Sequence, residues 1–497
     1  MSVHLPDHLD LIASAPEGIK KLRGLIYELA ARGKLIHLDY GAPSSTVQLG
    51  DVAEFVMGQA PPGSECNTDG IGTVFVKTGE FGEEFPVVRE WTTKPLKFAK
   101  RGDVLICVVG ATVGKLNMAI DCAIGRSVAA IRPSPKLDSR YLYVVLVPFT
   151  LRLRSQSRGS AQGVIGKTEL AQVEIRCPPL PEQHRIVAKV DELMALCDEL
   201  EEKVGAGETA HAKLVETLLG TLTQSTDAAD LAANWQRLAE HFDTLFTTES
   251  SLDALKQTFL QLAVMGKLVP QDLKDEPASE TFAGLKSLDS VPEGVESVPN
   301  QWAFCQYRSL TSLVTSGSRG WKEFYSDTGA IFIRTQNIKT DNLVLDDVAF
   351  VNLPKQAEGM RAQVLQDDIL ITITGANVTK AARVESKIPE AYISQHIALT
   401  RPIWPKMSKW LHLCFISRGS ARGILEKLAY GDKPGLSLAN VRDLALPIPP
   451  LAEQHRIVAK VDELMALCNE LKAKVGAGRT AQARLASTLI ETSLEAA

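Results

Sequence analysis

At 497 residues the chain is too long for one hydrophobic core and should divide into about three or four units. Its 45 % hydrophobic and 23 % charged residues describe an ordinary globular protein, and its net charge of −5 offers nucleic acid no general attraction. Apolar runs such as DVLICVVGATVG fall far short of the roughly 20 residues of a membrane helix. The opening MSVHLPDHLDLIASAPEG has neither the basic nor the apolar region of a secretory signal. Eight cysteines without a C-x-x-C pair argue against a zinc cluster and for reduced thiols, so no metal ligands are expected.

In chain order, residues 1–45 hold a helical pattern, LIYELAARGKLI at 25–36, that ends at Gly-Lys-Leu. Residues 46–180 are rich in β-branched residues and turns, and GDVLICVVGATVGKLNMA at 102–119 contains a strand pattern. PPLP then marks a helix start, because proline is tolerated there and not in the interior. The segment 181–223 reads as one long helix. Within it Ile186, Val190, Leu193, Cys197, Leu200 and Val204 step by alternating fours and threes, the seam of a coiled coil. Cys197 and its later equivalent Cys468 sit in that seam as packing residues. The phase continues to His211, Leu214 and Leu218, although Gly-Ala-Gly at 205–207 should weaken or kink the helix.

The series then repeats. Residues 224–298 form a joining region, partly helical at 224–246, with a second short helical pattern at 247–272 that includes TFLQLAVMGKLV. A second mixed segment covers 299–448, and a second long helix covers 449–497. DDILITITGANVTKAARV (367–384) parallels the earlier strand region, and SVAAIRP (127–133) parallels HIALTRP (396–402). EQHRIVAKVDELMALC occurs unaltered at 182–197 and 453–468, so the seam returns as Ile457, Val461, Leu464, Cys468, Leu471 and Val475. The expected fold is two mixed α/β domains, of α+β type, separated by long helices that form an antiparallel coiled coil with an internal pseudo-two-fold repeat. About 38 helical residues would span roughly 57 Å, comparable with one and a half turns of duplex DNA at about 34 Å per turn. The repeated helices thus read as a ruler between two unlike domains.

Charge is segregated. Segment 136–176 carries seven basic residues (Lys136, Arg140, Arg152, Arg154, Arg158, Lys167 and Arg176) against three acidic ones. Segment 401–433 carries seven against two, while 189–204 runs to −4. Two anion-binding surfaces joined by an acidic helix is one reading; ordinary solvated faces is the other.

PPLPEQHRIVAKVDEL and PPLAEQHRIVAKVDEL, each closing a variable domain, together with LKQTFLQLAVMGKLVPQD at 255–272, resemble the specificity subunit of a Type I restriction–modification system over essentially the whole chain. The resemblance implies two target-recognition domains, each reading one half of a split, asymmetric DNA target. It implies that the repeated helices hold the gap and dock two methyltransferase subunits, in the cytoplasm. S-adenosylmethionine would be bound by those subunits and adenine methylated at N6. ATP and Mg would be bound by a restriction subunit that can join the complex, leaving this chain with no cofactor of its own.

The residues agree on one negative point. The [DNS]-P-P-[YFW] loop of adenine methyltransferases is absent: the Pro-Pro pairs are APPG, CPPL and IPPL. AQGVIGKT at 161–168 imitates a phosphate-binding loop, but Ala161 replaces its first glycine, polar and basic residues precede it, and no acidic strand follows. His184 and His455 sit at helix starts, where an interface or capping role fits better than catalysis. No catalytic residues are expected.

Base readers should be polar residues at strand ends and loops. In the second domain IRTQNIK offers Arg334, Gln336 and Asn337; in the first, VKTGEFG offers Lys77, Thr78 and Glu80, the last as an acceptor from cytosine. The loops leading into the last shared strand offer Arg126, Gln395 and His396. Arg158 and Arg418 recur in both copies of RGSA and suit backbone phosphate, or a salt bridge at the domain–helix junction. The subunit-interface and coiled-coil set is Ile186, Val190, Leu193 and Leu200 with Ile457, Val461, Leu464 and Leu471.

Overall fold

A computed structural model describes residues 8–36, 45–156, 164–282, 284–288, 298–339, 341–354, 360–429 and 434–496, apart from a few side chains at segment ends. The chain falls into two compact units, residues 1–208 with 477–497, and residues 209–476. Four helices frame them: α1 (Gly18–Arg32), α2 (Leu180–Thr223), α3 (Glu249–Val264) and α4 (Leu451–Ala496). The long ones have 44 and 46 residues, about 66 and 69 Å at 1.5 Å per residue. Both exceed the span expected from the repeat alone.

In the first unit six strands matter for the site: β1 (Ala53–Met57), β2 (Thr73–Val76), β3 (Val104–Cys107), β4 (Leu116–Met118), β5 (Cys122–Ile124) and β6 (Val128–Pro133). The antiparallel sheet runs β1-β6-β3-β4, while β2 and β5 pair in parallel within a second sheet. The second unit has their counterparts: β7 (Thr311–Ser316), β8 (Ala330–Ile333), β9 (Ile369–Thr372), β10 (Ala381–Arg383), β11 (Ala391–Ile393) and β12 (Ile397–Pro402). There the order is β7-β12-β9-β10, with β8 and β11 parallel.

The central strand of each sheet is buried on both faces. In β3, Val104 and Ile106 pack into the helical core with Leu142 and Leu146, whereas Leu105 and Cys107 pack against Val76 and Ile124 of the second sheet. In β9, Ile369 and Ile371 join Trp410 and Leu411, while Leu370 joins Ile333 and Ile393. Side chains alternate across a strand, so one strand welds two layers. A buried carboxylate pins the same corner in both: Asp103 takes a bidentate bond from Arg132 at 2.9 and 2.8 Å, and Asp368 one from Arg401 at 2.8 and 2.8 Å. Backbone amides of Lys100 and Leu365 supply the equivalent third bond to each carboxylate.

Backbone shape is duplicated more strictly than sequence. Gly102, Gly110 and Gly114 have positive φ, as do the equivalent Asp367, Gly375 and Thr379. α1 and α3 both end in a left-handed glycine, Gly33 and Gly266. After each, a Lys amide bonds back to a carbonyl five residues earlier, Lys34 to Leu29 and Lys267 to Leu262.

The heptad stripe is buried in each unit, against a short helix. Ile186, Val190 and Cys197 lie in the first core with Leu22, Leu25 and Ile26 of α1 and with Ala486 and Ile490 near the end of α4; Leu193 and Leu200 pack partly buried at its edge. In the second unit Ile457 and Val461 join the domain core through Leu260 and Val264 of α3. Cys468, with Leu464 and Leu471 partly buried, packs on Leu255 and Phe259 of α3 and on Val215 and Leu219 of α2. The start of one long helix thus meets the end of the other in each unit, as in an antiparallel pair. The two identical stripes do not serve as each other's partner; each occupies a separate core.

One further expectation needs correction. α2 and α4 run unbroken through their Gly-Ala-Gly triplets, because an amphipathic helix packed at both ends outweighs roughly 1 kcal/mol of propensity per glycine. The joining region is helical over Ala228–Glu240, where Asp227 caps the Ala229 and Asp230 amides at 2.9 Å.

Glycine position decides the sign of substitution. At Gly207 and Gly478 a β-carbon would meet nothing within 4 Å, so Gly207→Ala and Gly478→Ala should each stabilise by about 1 kcal/mol. At Gly266, φ is +70° and a β-carbon would lie 2.7 Å from Pro299, so Gly266→Ala should destabilise by about 1–2 kcal/mol. Urea unfolding of the three variants should move in these opposite directions.

Candidate nucleic-acid interface

The parallel pairing of β2 with β5 brings together two loops distant in sequence. Phe75 pairs with Ala123 and Val76 with Ile124, so the turn after β2 and the turn after β5 leave the sheet side by side. The Gly125 amide bonds to the Val76 carbonyl at 2.9 Å. β8 and β11 repeat this, with Ile333 opposite Ile393 and the Ser394 amide bonded to the Ile333 carbonyl at 2.9 Å. A third segment presses against the second turn of each pair: at Gly58 a β-carbon would lie 2.2 Å from the Gly125 carbonyl oxygen, and at Gly317, 2.0 Å from that of Ile393. Only glycine permits that approach.

In the first unit the result is an open cleft of about 670 Å³ whose lining includes Ala60, Pro61, Asn67, Thr68, Lys77, Thr78, Glu90, Arg126 and Ser127. Three of the sequence-derived readers, Lys77, Thr78 and Arg126, therefore share one wall-to-wall surface. Lys77 forms an ion pair with Glu90, which holds its ammonium pKa above the usual lysine range, and lies 5.7 Å from the Phe75 ring centre. Arg126 is exposed at the lip.

Glu80 does not join them. Its side chain is buried and its carboxylate accepts from the Lys77 amide at 2.8 Å, closing the turn from within. Asn337 does the same in the second unit: it is 2 % exposed and its Oδ1 accepts from the Arg334 amide at 2.9 Å. Its Nδ2 donates to the Val344 and Asp347 carbonyls at 3.1 and 2.8 Å. The expectation that Glu80 and Asn337 touch bases is corrected on this ground. They fix the turn that presents their neighbours.

Of the remaining second-unit readers, Gln336 is exposed, with its amide 3.4 Å from Asp347 Oδ2. Arg334 is half-buried and its Nε has no hydrogen-bond partner. Gln395 and His396 are exposed beside it on the turn after β11; their Nε2 atoms lie 3.1 Å apart, and His396 Nδ1 meets the Thr374 hydroxyl. Arg158 lies outside the described residues. Arg418 pairs with Glu426 at 3.2 Å, and its amide donates to Gln257 of α3 at 3.2 Å. The junction role therefore describes Arg418 better than a free phosphate contact.

Counting charge by segment overstated the open cations of 136–176 and 401–433. Arg140 pairs with Glu84 and Asp191, Arg401 with Asp368, Lys409 with Asp462, and Arg422 with Asp341 and Glu426. Apart from Glu426, these partners come from outside the counted segments, where a local count cannot see them. A run of open cations in the first unit is Arg89, Lys94, Lys97, Lys100 and Arg101, all exposed and without an ion pair to a described carboxylate; Arg126, Lys136 and Lys167 are exposed in the same way. The Lys97 carbonyl accepts from the Ile124 amide at 2.9 Å, one residue before the Gly125–Arg126 turn. Five basic residues against Glu90 alone in 89–101 was a readable signal.

The phosphate-loop imitation carries a carboxylate where an anion would sit. Residues 161–163 lie outside the described residues, and the Gly166 amide donates to Glu169 Oε2 at 2.5 Å. His184 lies 3.7 Å from Asp138 and is mostly exposed. Among the described residues no three His, Cys, Asp or Glu side chains converge as a metal site, and no helix is long and apolar enough to cross a membrane.

The sequence pattern of the Type I restriction modification DNA specificity domain matches the chain twice, at 43–206 and 314–477. The specificity subunit of the Type I restriction enzyme EcoAI from Escherichia coli is 30 % identical, over 96 % of this chain and 94 % of its own. The EcoEI specificity subunit, also from Escherichia coli, is 32 % identical over 73 % of this chain and 66 % of its own. A solved structure from work on assembly and conformational transition of the type I R-M system aligns over 92 % of this chain and 99 % of that one. Its TM-score is 0.51 at 17 % identity, a likeness of fold. The chain belongs to the Type I restriction–modification DNA specificity family, with two copies of the family's domain.

Asn337→Ala strips three hydrogen bonds from a buried turn and should destabilise by about 2–3 kcal/mol. Gln336→Ala, one residue away and exposed, should stay within about 0.5 kcal/mol. Chemical denaturation of both variants distinguishes the frame of the turn from its lip.

Proposed function

We propose that each domain reads one half of a bipartite, asymmetric double-stranded DNA target through its paired turns, and that the chain itself performs no chemistry. The observation that carries this is a shared frame with unlike lips. Strand order, parallel pair, crossing glycine and inward-facing turn residue recur, while the polar groups at the lips change from Lys77, Thr78 and Arg126 to Arg334, Gln336, Gln395 and His396. Arg and Gln can bond guanine and adenine edges bidentately. Arg89, Lys94, Lys97, Lys100 and Arg101 suit phosphate, which fixes register without reading sequence.

The long helices would set the gap between half-sites and dock two copies of one modification subunit. Their outer faces support two equal partners. His184, Ala188, Glu192, Ala195 and Leu196 are exposed, and so are their identical counterparts His455, Ala459, Glu463, Ala466 and Leu467. The core does not require that identity; a partner that binds twice would. Adenine methylation with S-adenosylmethionine would belong to those subunits, and ATP with Mg to a restriction subunit, in a cytoplasmic complex.

The test is methyl transfer by the complex of this chain with its modification subunits across a library of DNA targets. Arg334→Ala should relax one base position at about 1–3 kcal/mol; a uniform loss at every target would reassign Arg334 to phosphate. Neutralising Lys97 and Arg101 should weaken all targets alike and reduce the salt slope by about two. Four residues inserted after Gly207 lengthen α2 by about 6 Å, near two base-pair steps, and should change the tolerated gap. A protein-binding scaffold would show none of these responses.

A further inference from the structure

We infer that Glu201 and Lys472, opposite charges at equivalent positions of α2 and α4, select which short helix docks on which long helix. The apolar stripe cannot make that choice. From Ile186 to Val204 it is residue for residue the same as from Ile457 to Val475, so α1 and α3 face two chemically identical seams. The first differences after Cys197 and Cys468 are Asp198 against Asn469, Glu201 against Lys472, and Glu202 against Ala473. The first two of these three touch the short helix.

In the first unit Arg23 of α1 donates to Asp198 at 2.6 Å and Glu201 at 2.7 Å. In the second, Lys256 of α3 donates to Asn469 at 2.6 Å, and Lys472 lies 2.8 Å from Asp253 and 3.4 Å from Glu249. Aligned on their terminal glycines, Gly33 and Gly266, the short helices place Arg23 with Lys256 and Lys20 with Asp253. Arg23 and Lys256 keep one sign, but Lys20, which pairs with Glu17 in its own helix, is replaced by Asp253, the residue that meets Lys472. Docked on the wrong copy, α1 would set Lys20 and Arg23 against Lys472, and α3 would set Asp253 and Glu249 against Glu201. Matched charge pairs between partly exposed side chains add little stability, but like charges in the exchanged arrangement penalise it, and that difference is what selection requires. Leu22, Ile26, Leu255 and Phe259 hold the helices in place; the charges decide the address.

The test keeps the ion pairs and erases the difference. In the full chain, Glu249→Lys, Asp253→Lys and Lys472→Glu together restore opposite charges in the second unit while giving both long helices the same sign. The thermal midpoint of correctly folded protein should stay near that of the unaltered chain. Recovery of native monomer after dilution from urea, read by gel filtration, should fall by about threefold, with the deficit in mispaired oligomers. Adding Arg23→Glu, Asp198→Asn and Glu201→Lys restores a difference of reversed sign, and recovery should return. Refolding of the first variant as complete as that of the unaltered chain would overturn the inference, as would continued loss in the second.

Discussion

Burial of one strand on both of its faces is the constraint on which each domain depends. Val104 and Ile106 are held by helices, and the residues between and beside them, Leu105 and Cys107, hold the sheet that carries Lys77. Removing either layer would leave a row of apolar side chains in water, at roughly 1.5–3 kcal/mol each. The loop-bearing sheet therefore has no independent core to retreat to, and its turns are placed by the helical scaffold beneath. Ile369, Leu370 and Ile371 impose the same coupling in the second unit. The Asp103–Arg132 and Asp368–Arg401 pairs lock the corner where the coupled strands meet.

Much of this architecture was legible from spacing. The heptad steps gave both long helices, the parallel between 102–119 and 367–384 gave the repeated central strand, and the repeated Gly-Lys-Leu gave the ends of α1 and α3. Spacing could not say which surface the heptad stripe would bury against, because identical residues suit any apolar neighbour. The structure divides those neighbours between α1 and α3. Proximity of the two reading turns was legible only as a similarity of loops; the parallel pair that joins Val76 to Ile124 is a long-range contact without a local signature. Glu80 and Asn337 were misread for a related reason. A polar side chain in a turn can face out to a ligand or in to its own backbone, and only the fold tells which.

The identical helical segments also show how little a sequence fixes a side chain's surroundings. Glu182 and Glu453 occupy the same place in the repeat. Glu453 accepts from the Trp302 indole at 2.9 Å and from Gln271 at 2.6 Å, yet burial still pushes its carboxyl pKa up. Glu182 is buried too, and its Oε1 has no hydrogen-bond partner among the described residues. The bonds to Glu453 come from Trp302 and Gln271, which lie outside the repeated segment.

The second half also holds a backbone posture without the residues best suited to it. Gly102 and Gly114 adopt left-handed backbone freely, whereas Asp367 and Thr379 hold the same angles, φ 69° and 74°, with a side chain in the way. Non-glycine residues in that region carry about 1–3 kcal/mol of strain. The backbone curve is the same in both halves although the residue best suited to it stands in only one. The twin halves are thus unequal thermodynamically though alike in outline, and the later one holds a reserve of stability that glycine at Asp367 or Thr379 would release.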